Sequence, residues 1–453
     1  MTLRPYQHAN KESIRARFRA GCKRVVYQLS TGGGKTVVAC NMIAGARHLG
    51  HSVAVIVHRR ELVQQFEAAL AADGVDGVAV HMAQTLTRRL DRVAAPRLCI
   101  VDECHHSVSN TWQRIIQYWP DTWFLGLTAT PARLDGRGLG KLFQGMVCGP
   151  SMRDLIRDGY LAPYRLYVPP APDTSKLRKR AGDYTSETLS AVFDRPGIVG
   201  DVVDTYLRLG QGRQFVAFGV TVEHARNIAR GFAARSVTCG VLHGGMSASD
   251  RDTIVSCVKS GALQGIANCD IVSEGFDVPA IGCVILASKT ASLVRYLQRV
   301  GRGLRRDGDR EAIILDHGGN VFVHGLPDDP REWSLEGAVK RPAAAAEVSI
   351  RHCNVCFAVY DGALNACPYC GAIVTATTRT LTVRKGELVE IPYWETAMVS
   401  DARTPADLAA IAKARGYRPG WAVHKAREVL HLSDREIADG LGWHIAAVRR
   451  YGR

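Results

Sequence analysis

Short continuous apolar runs alternate with longer segments of helical period over two stretches of the chain. In the first, roughly residues 1–165, Val25–Leu29, Ser52–Val57, Arg97–Val101 and Phe124–Leu127 read as buried strands. Lys35–Leu49, closed by Gly50, and Glu61–Ala72 read as helices between them. Apolar runs bounded by turn residues and separated by helices predict a parallel, doubly wound sheet, because such strands are covered on both faces. The second stretch, roughly 198–335, repeats the alternation. Its predicted strands are Phe215–Phe218, Cys239–Leu242, Gly265–Asn268, Cys283–Leu286 and Ala312–Leu315, with helices at Val222–Ala234, Ser249–Ser260 and Leu293–Val300. Residues 169–197 carry Pro169-Pro170-Ala171-Pro172 and a basic patch from Lys176 to Arg180, and predict a linker with a short helix. Beyond Pro327 the alternation is lost. The predicted architecture is α/β: one doubly wound domain over 1–168, a second over 198–335, a cysteine module over 348–375 and a basic helical tail over 400–453.

Composition narrows the class. The 453 residues are 46% hydrophobic and 22% charged, the balance of a globular protein. A formal net charge of +15 biases the chain toward a polyanionic partner. No apolar run approaches the ~20 residues of a membrane span. The N-terminal Met1-Thr2-Leu3-Arg4-Pro5-Tyr6-Gln7 has no signal-peptide core, so a cytoplasmic location is expected. Of the thirteen cysteines, four stand in two close pairs and the rest are scattered, which suits a reducing compartment.

Two sites of chemistry fall at strand ends, where ligands of doubly wound sheets bind. After Val25–Leu29 comes Ser30-Thr31-Gly32-Gly33-Gly34-Lys35-Thr36. Gly32, Gly33 and Gly34 let successive N–H groups face phosphate oxygens at a helix N-terminus. Lys35 supplies a point charge for the β/γ-phosphates, and the Thr36 hydroxyl suits Mg²⁺. Leu29 stands where a phosphate loop usually has its first glycine. At the tip of Arg97–Val101, Asp102 would hold Mg²⁺ and Glu103 would orient and deprotonate water. The combination predicts nucleotide hydrolysis.

These motifs and their order resemble superfamily 2 helicases over about residues 3–320. STGGGKT (30–36), VDECHH (101–106), LTATPAR (127–133) and QRVGRGLR (298–305) are similar to motifs I, II, III and VI. LRPYQ (3–7), HRRELVQQ (58–65), AQTL (83–86), FGVTVEHA (218–225) and NCDIVSEGFDVP (268–279) resemble the Q motif and motifs Ia, Ib, IV and V. Within the superfamily the likeness is to the DNA-directed branch around RadD, XPB and the type III restriction translocases. It implies two RecA-like domains, ATP with Mg²⁺, and contacts from Arg4 and Gln7 to adenine and from Thr31 to the nucleotide. It further implies coupling through His105, Thr128 and Thr130, nucleotide contacts from Gly275 and Asp277, and completion of the site by Gln298, Arg302 and Arg305. An arginine that reaches across a cleft to transition-state charge is worth roughly 10³–10⁵ in rate. Arg59, Arg60, Gln84, Thr85, Thr221 and His243 are candidates for DNA-backbone contacts. Asp-Glu-Cys-His and Gln-Arg-Val-Gly-Arg depart from the RNA-directed DEAD-box pattern, which implies DNA, single-stranded or branched, as the track of a monomeric motor. Remodelling or unwinding of forks and branched junctions, in repair, recombination or phage replication, is the expected work. A motor subunit of a restriction or phage-defence complex, an RNA helicase, and a non-hydrolysing DNA scaffold are the alternatives. A single-strand-binding protein or a nuclease would be possible partners.

Two features lie beyond the motor. Cys353-x₂-Cys356-x₁₀-Cys367-x₂-Cys370 predicts a zinc ribbon, in which four thiolates close a tetrahedral, structural Zn²⁺ site. Residues 434–451 resemble a helix-turn-helix, with Ser433 as cap, Ile437, Leu441, Trp443 and Val448 as core, and His444, Arg449 and Arg450 offered to DNA. The alternative for this segment is a plain helical hairpin docked on the motor.

Overall fold

The computed structural model describes residues 2–106, 110–131, 138–168, 174–180, 182–269, 281–308, 310–337, 350–353, 355–362, 364–373, 402–414, 417 and 420–451. In chain order its strands are β1 (Arg24–Gln28), β2 (Val53–Val57), β3 (Ala79–Met82), β4 (Leu98–Val101), β5 (Trp123–Thr128), β6 (Gly145–Cys148), β7 (Tyr164–Tyr167) and β8 (Lys179–Arg180). They continue with β9 (Asp183–Tyr184), β10 (Phe215–Phe218), β11 (Cys239–His243), β12 (Gly265–Cys269), β13 (Cys283–Leu286), β14 (Ala312–Asp316), β15 (Ile350–His352) and β16 (Ala358–Asp361).

The first sheet has the order β3-β2-β4-β5-β1-β6, parallel throughout. Its strands alternate between two buried faces. Val25, Tyr27, Val55, Val57 and Ile100 pack with Val38 and Ile43 of helix Lys35–His48 and Phe66 of helix Arg60–Ala72. Val26, Ile56, Cys99 and Val101 pack on the other face with Trp112, Ile115 and Trp119. This double covering explains why the strands read as unbroken apolar runs. Order and direction bring the carboxyl ends of β1, β5 and β4 side by side, with Gln28 opposite Thr128 and Val101 opposite Gly126.

The second sheet has the order β11-β12-β10-β13-β14-β7-β16-β15, and its first six strands are parallel. β7 corrects the domain boundary expected at residue 168. Tyr164 to Tyr167 pair with β14, so the chain has passed to the second sheet before residue 164. The cysteine module is likewise no separate layer, because β16 pairs antiparallel with β7, and β15 with β16. The expected linker is structured where described. Leu189, Val192 and Phe193 of helix Ser186–Phe193 pack with Leu177 and Tyr184. Asp183 ties this segment to the second lobe by accepting from the Thr290 hydroxyl at 2.8 Å and the Ala291 N–H at 2.6 Å.

After helix Val321–His324 the chain returns to the first lobe, where the Gly140 N–H donates to the Leu335 carbonyl at 2.8 Å. Asp328 is held in this crossing by Arg153 at 3.0 Å and the Tyr164 hydroxyl at 2.5 Å. Arg331 shapes it by donating to the carbonyls of Pro327, Leu326, Asp329 and His324 at 2.8, 2.8, 2.9 and 3.2 Å. The described residues beyond 401 belong to a distinct compact unit. No helix among the described residues is long and apolar enough to cross a membrane. Arg331→Ala strips the crossing of its shared donor, at an expected cost of about 2–3 kcal/mol. Calorimetry should show a melting temperature lower by about 2–4 °C.

Candidate active site

The phosphate loop forms where β1 ends and helix Lys35–His48 begins. Gly32 and Gly34 take φ of 84° and 86°, the left-handed region that glycine enters without strain. The Lys35 Nζ lies inside the loop and donates to the Leu29 carbonyl at 3.1 Å. From the N-terminal helix Pro5–Arg19, the Tyr6 hydroxyl and Gln7 Nε2 both donate to the Gly33 carbonyl, at 2.6 and 3.2 Å. The Arg4 guanidinium stacks 5.0 Å from the Tyr160 ring, which meets Tyr6 edge-on at 4.9 Å.

Opposite the loop stand the carboxylates. Asp102 follows β4 and is buried, while Glu103 takes a φ of 47°, rare for a residue with a side chain and found at functional turns. Burial, then the Glu103 carboxylate, push the Asp102 pKa up to about 6 against the pull of Lys35. Burial lowers the Lys35 pKa, with Glu103 and Asp102 opposing and Arg302 and Arg305 adding to the fall. Thr36 and Asp102 offer the hard oxygen ligands that Mg²⁺ prefers, so the donor set and its desolvated charges fit that ion.

Arg302 and Arg305 arrive from the second lobe, after helix Leu293–Val300. They line one cleft of about 310 Å³ with Thr31, Lys35, Thr36, Asp102 and Glu103. The lobes meet tightly here. Leu161 and Arg305 form an antiparallel bridge, and a Cβ built on Gly301 would lie 2.6 Å from Thr31 Cβ. Gln298 is buried, and neither polar atom of its amide has a hydrogen-bond partner.

From Glu103 a polar chain leads away from the cleft. Glu103 Oε2 lies 3.3 Å from His105 Nδ1, which is 3.1 Å from the Thr128 hydroxyl. Thr128 donates to the Thr130 carbonyl at 2.9 Å and accepts from its N–H at 3.1 Å. All three side chains beyond Glu103 are buried.

Of the expected nucleotide residues, Thr31, Gly32, Gly34, Lys35, Thr36, Asp102, Glu103, Arg302 and Arg305 line this cleft, Gln7 meets the loop at Gly33, and Gly275 and Asp277 lie outside the described residues. Of the expected nucleic-acid contacts, Arg59, Arg60, Gln84 and Thr85 follow the carboxyl ends of β2 and β3. Thr221 follows β10 and His243 ends β11. The Thr221 oxygen caps helix Val222–Ala233 by accepting from the His224 N–H at 3.1 Å. Tyr160 and Leu161 were not foreseen. They precede β7 and reach the loop through long-range packing, for which no local pattern exists.

The four module sulfurs all lie within 4.8 Å of one another, with Cys353–Cys370 and Cys356–Cys367 both at 3.6 Å. That is far from a disulfide and near the edge, about 3.8 Å, of a tetrahedron with ~2.3 Å metal–sulfur bonds. Against burial, which would raise it, the N–H groups of Cys356 and Val355 draw the Cys353 thiol down to about 7. The donor set fits a tetrahedral ion such as zinc.

Two families match along the chain. The family described as type III restriction enzyme, res subunit, matches residues 1–74 and 76–133, and the helicase conserved C-terminal domain matches 199–307. A 51.5 kDa protein of a Lactococcus phage is 32% identical over 76% of this chain and 77% of its own length. The provisionally assigned ATP-dependent helicase IRC3 of Saccharomyces cerevisiae is 29% identical over 67% of this chain and 49% of its own. The DNA 3′-5′ translocase XPB2 of Sulfurisphaera tokodaii is 23% identical over 69% of this chain and 81% of its own. The chain thus spans about half the length of the yeast relative.

A phosphate loop and carboxylate pair on one parallel sheet, faced by arginines from another, define a two-lobed nucleoside-triphosphate motor. The chain belongs to the superfamily 2 helicases, in the branch of XPB and the type III restriction enzymes, and is an ATP hydrolase. Gly301→Ala should hold the lobes apart at Thr31 and lower ATP turnover about 10–100-fold, with melting temperature unchanged. Steady-state hydrolysis beside calorimetry checks both parts.

Proposed function

We propose that this protein is a DNA-stimulated ATPase that translocates on DNA and remodels or unwinds forks and branched junctions, in repair, recombination or phage replication. The observation that carries this reading is the shared cleft: Arg302 and Arg305 stand with Lys35, Asp102 and Glu103 although they come from different sheets. Hydrolysis then requires the closed pair of lobes, so each cycle alternates closure and opening, and on a bound strand that alternation is a step.

In this reading Lys35 and the loop N–H groups hold the β/γ-phosphates, and Arg4 and Gln7 lie beside the adenine. Thr36 and Asp102 would hold Mg²⁺, which when bound neutralises phosphate charge. Glu103 takes the proton of the attacking water, and Gln298, Arg302 and Arg305 meet the charge on the transferred phosphoryl group. His105, Thr128 and Thr130 carry the state of Glu103 toward the strand. Arg59, Arg60, Gln84 and Thr85 of one lobe, with Thr221 and His243 of the other, grip the backbone. Such phosphate contacts hold any sequence, as a stepping motor needs. Three observations support DNA as the track: the net charge of +15, the Asp-Glu-Cys-His wording at 102–105, and the DNA translocase among the relatives. A second reading, the motor subunit of a restriction complex, draws on the type III res-subunit match and predicts a co-purifying nuclease. A reducing compartment such as the cytoplasm suits the nine scattered thiols and the four of the module, none of which forms a disulfide.

DNA should raise the wild-type ATPase rate, and Lys35→Ala and Glu103→Gln should each lower stimulated turnover by at least about 10³-fold. A wild-type rate indifferent to DNA overturns the motor reading. For the cysteine module, elemental analysis should find about one zinc per chain, and Cys367→Ser should release it and lower the melting temperature.

A further inference from the structure

The C-terminal unit has a core of its own. Leu408, Ile411, Val423, Ala426, Ile437 and Val448 are buried where helices Pro405–Ala414, Gly420–Val429, Asp434–Leu441 and Ile445–Arg450 meet. The last two helices are joined by Gly442-Trp443-His444 alone, and Gly442 takes a φ of 66° that stops the first of them. Ser433 and Glu436 close a capping box at the start of that helix. Two helices joined by a three-residue turn containing glycine have the geometry of a helix-turn-helix.

The short final helix is fixed at both ends. His444 Nδ1 accepts the Ala446 N–H at 3.3 Å. The Arg427 guanidinium, 2.8 Å from Asp434, donates to the carbonyls of Tyr451 and Val448 at 3.2 and 3.4 Å. Gly420 lies against the Tyr451 ring with no room for a side chain. With Arg427 and Glu436 spent on structure, the outward face of the final helix presents His444, Ala446, Arg449 and Arg450, all exposed. Asp434 is matched by Arg427, and Arg449 lies 3.9 Å from it with 68% of its side chain exposed. Residues 403–453 hold ten Lys/Arg against five Asp/Glu, so the surplus is positive.

We infer that this unit is a duplex-DNA reader, separate from the motor track. Helix Ile445–Arg450 enters the major groove, with His444 and Ala446 at base edges and Arg449 and Arg450 against phosphates. Ala446 leaves room for close approach, and His444 offers a ring nitrogen for hydrogen bonding. The choice of DNA as the polyanion rests on the reading of the motor as a DNA enzyme. The function added is address: a motor that grips only backbone gains a preferred duplex at which to load.

The test uses the full chain without ATP, so failure of the motor reading and failure of this one are separable. Anisotropy of a labelled duplex is titrated across salt. The double variant Arg449→Ala/Arg450→Ala should bind about 10–100-fold more weakly, with a salt slope smaller by about 2 and an unchanged melting curve. Unchanged affinity and slope overturn the docking. Selection from a randomised duplex library by the wild type should recover a shared sequence that His444→Ala alters. Recovery of no shared sequence overturns the contact with base edges.

Discussion

A lysine and two carboxylates crowded into one cleft and set against each other are the constraint on which the rest depends. Desolvation works against the charged form of Lys35 and of Asp102 alike. Their mutual attraction, anionic phosphates and a divalent ion can offset that cost. The site is thereby prepared for charge that only substrate brings, which is what electrostatic preorganisation requires. Arg302 and Arg305 enter from the other sheet and add positive charge that the phosphoryl group can neutralise.

The fold provides the two rigid platforms this arrangement needs. Parallel strands covered on both faces hold the loop, the carboxylates and Thr128 at adjacent carboxyl ends, where His105 lies 3.1 Å from the Thr128 hydroxyl. The contact of Gly301 with Thr31 sets how closely the lobes meet, and the crossing organised by Arg331 returns the second lobe to the first. The cysteine module extends the second sheet through β16 and β7, and the His352 ring lies 2.6 Å from the Val168 carbonyl. A metal there would stiffen the edge of a moving lobe.

Legibility in the sequence tracked distance along the chain. The phosphate loop, the carboxylate pair and the cysteine spacing each place their ligands within a few residues, so local geometry fixes the chemistry. The central strands of both sheets were readable because burial on two faces leaves an unbroken apolar run, as in Val53–Val57, whereas the edge strands β3 and β6, only partly buried, left none. β7 was not, since Tyr164–Tyr167 is short and half polar, and its place comes from a partner, β14, far along the chain. Tyr160 against Tyr6, and Leu335 against Gly140, were invisible for the same reason. The segment 169–197, expected as a linker with a short helix, holds helix Ser186–Phe193, and Asp183 ties part of it to the second lobe through a contact that no local pattern announces.

The sequence by itself determined the class of chemistry, the two α/β blocks and the family, because spacing within a loop or along a strand is enough to specify a phosphate cradle or a buried face. The resemblance implied that Arg302 and Arg305 complete the site and that His105 couples to Thr128, but only the tertiary structure supplied the cleft and the distances that join them, and only it decided that the cysteine module is the edge of a sheet. Those relations join residues whose proximity comes from strand order and packing, and neither leaves a periodic trace in the chain.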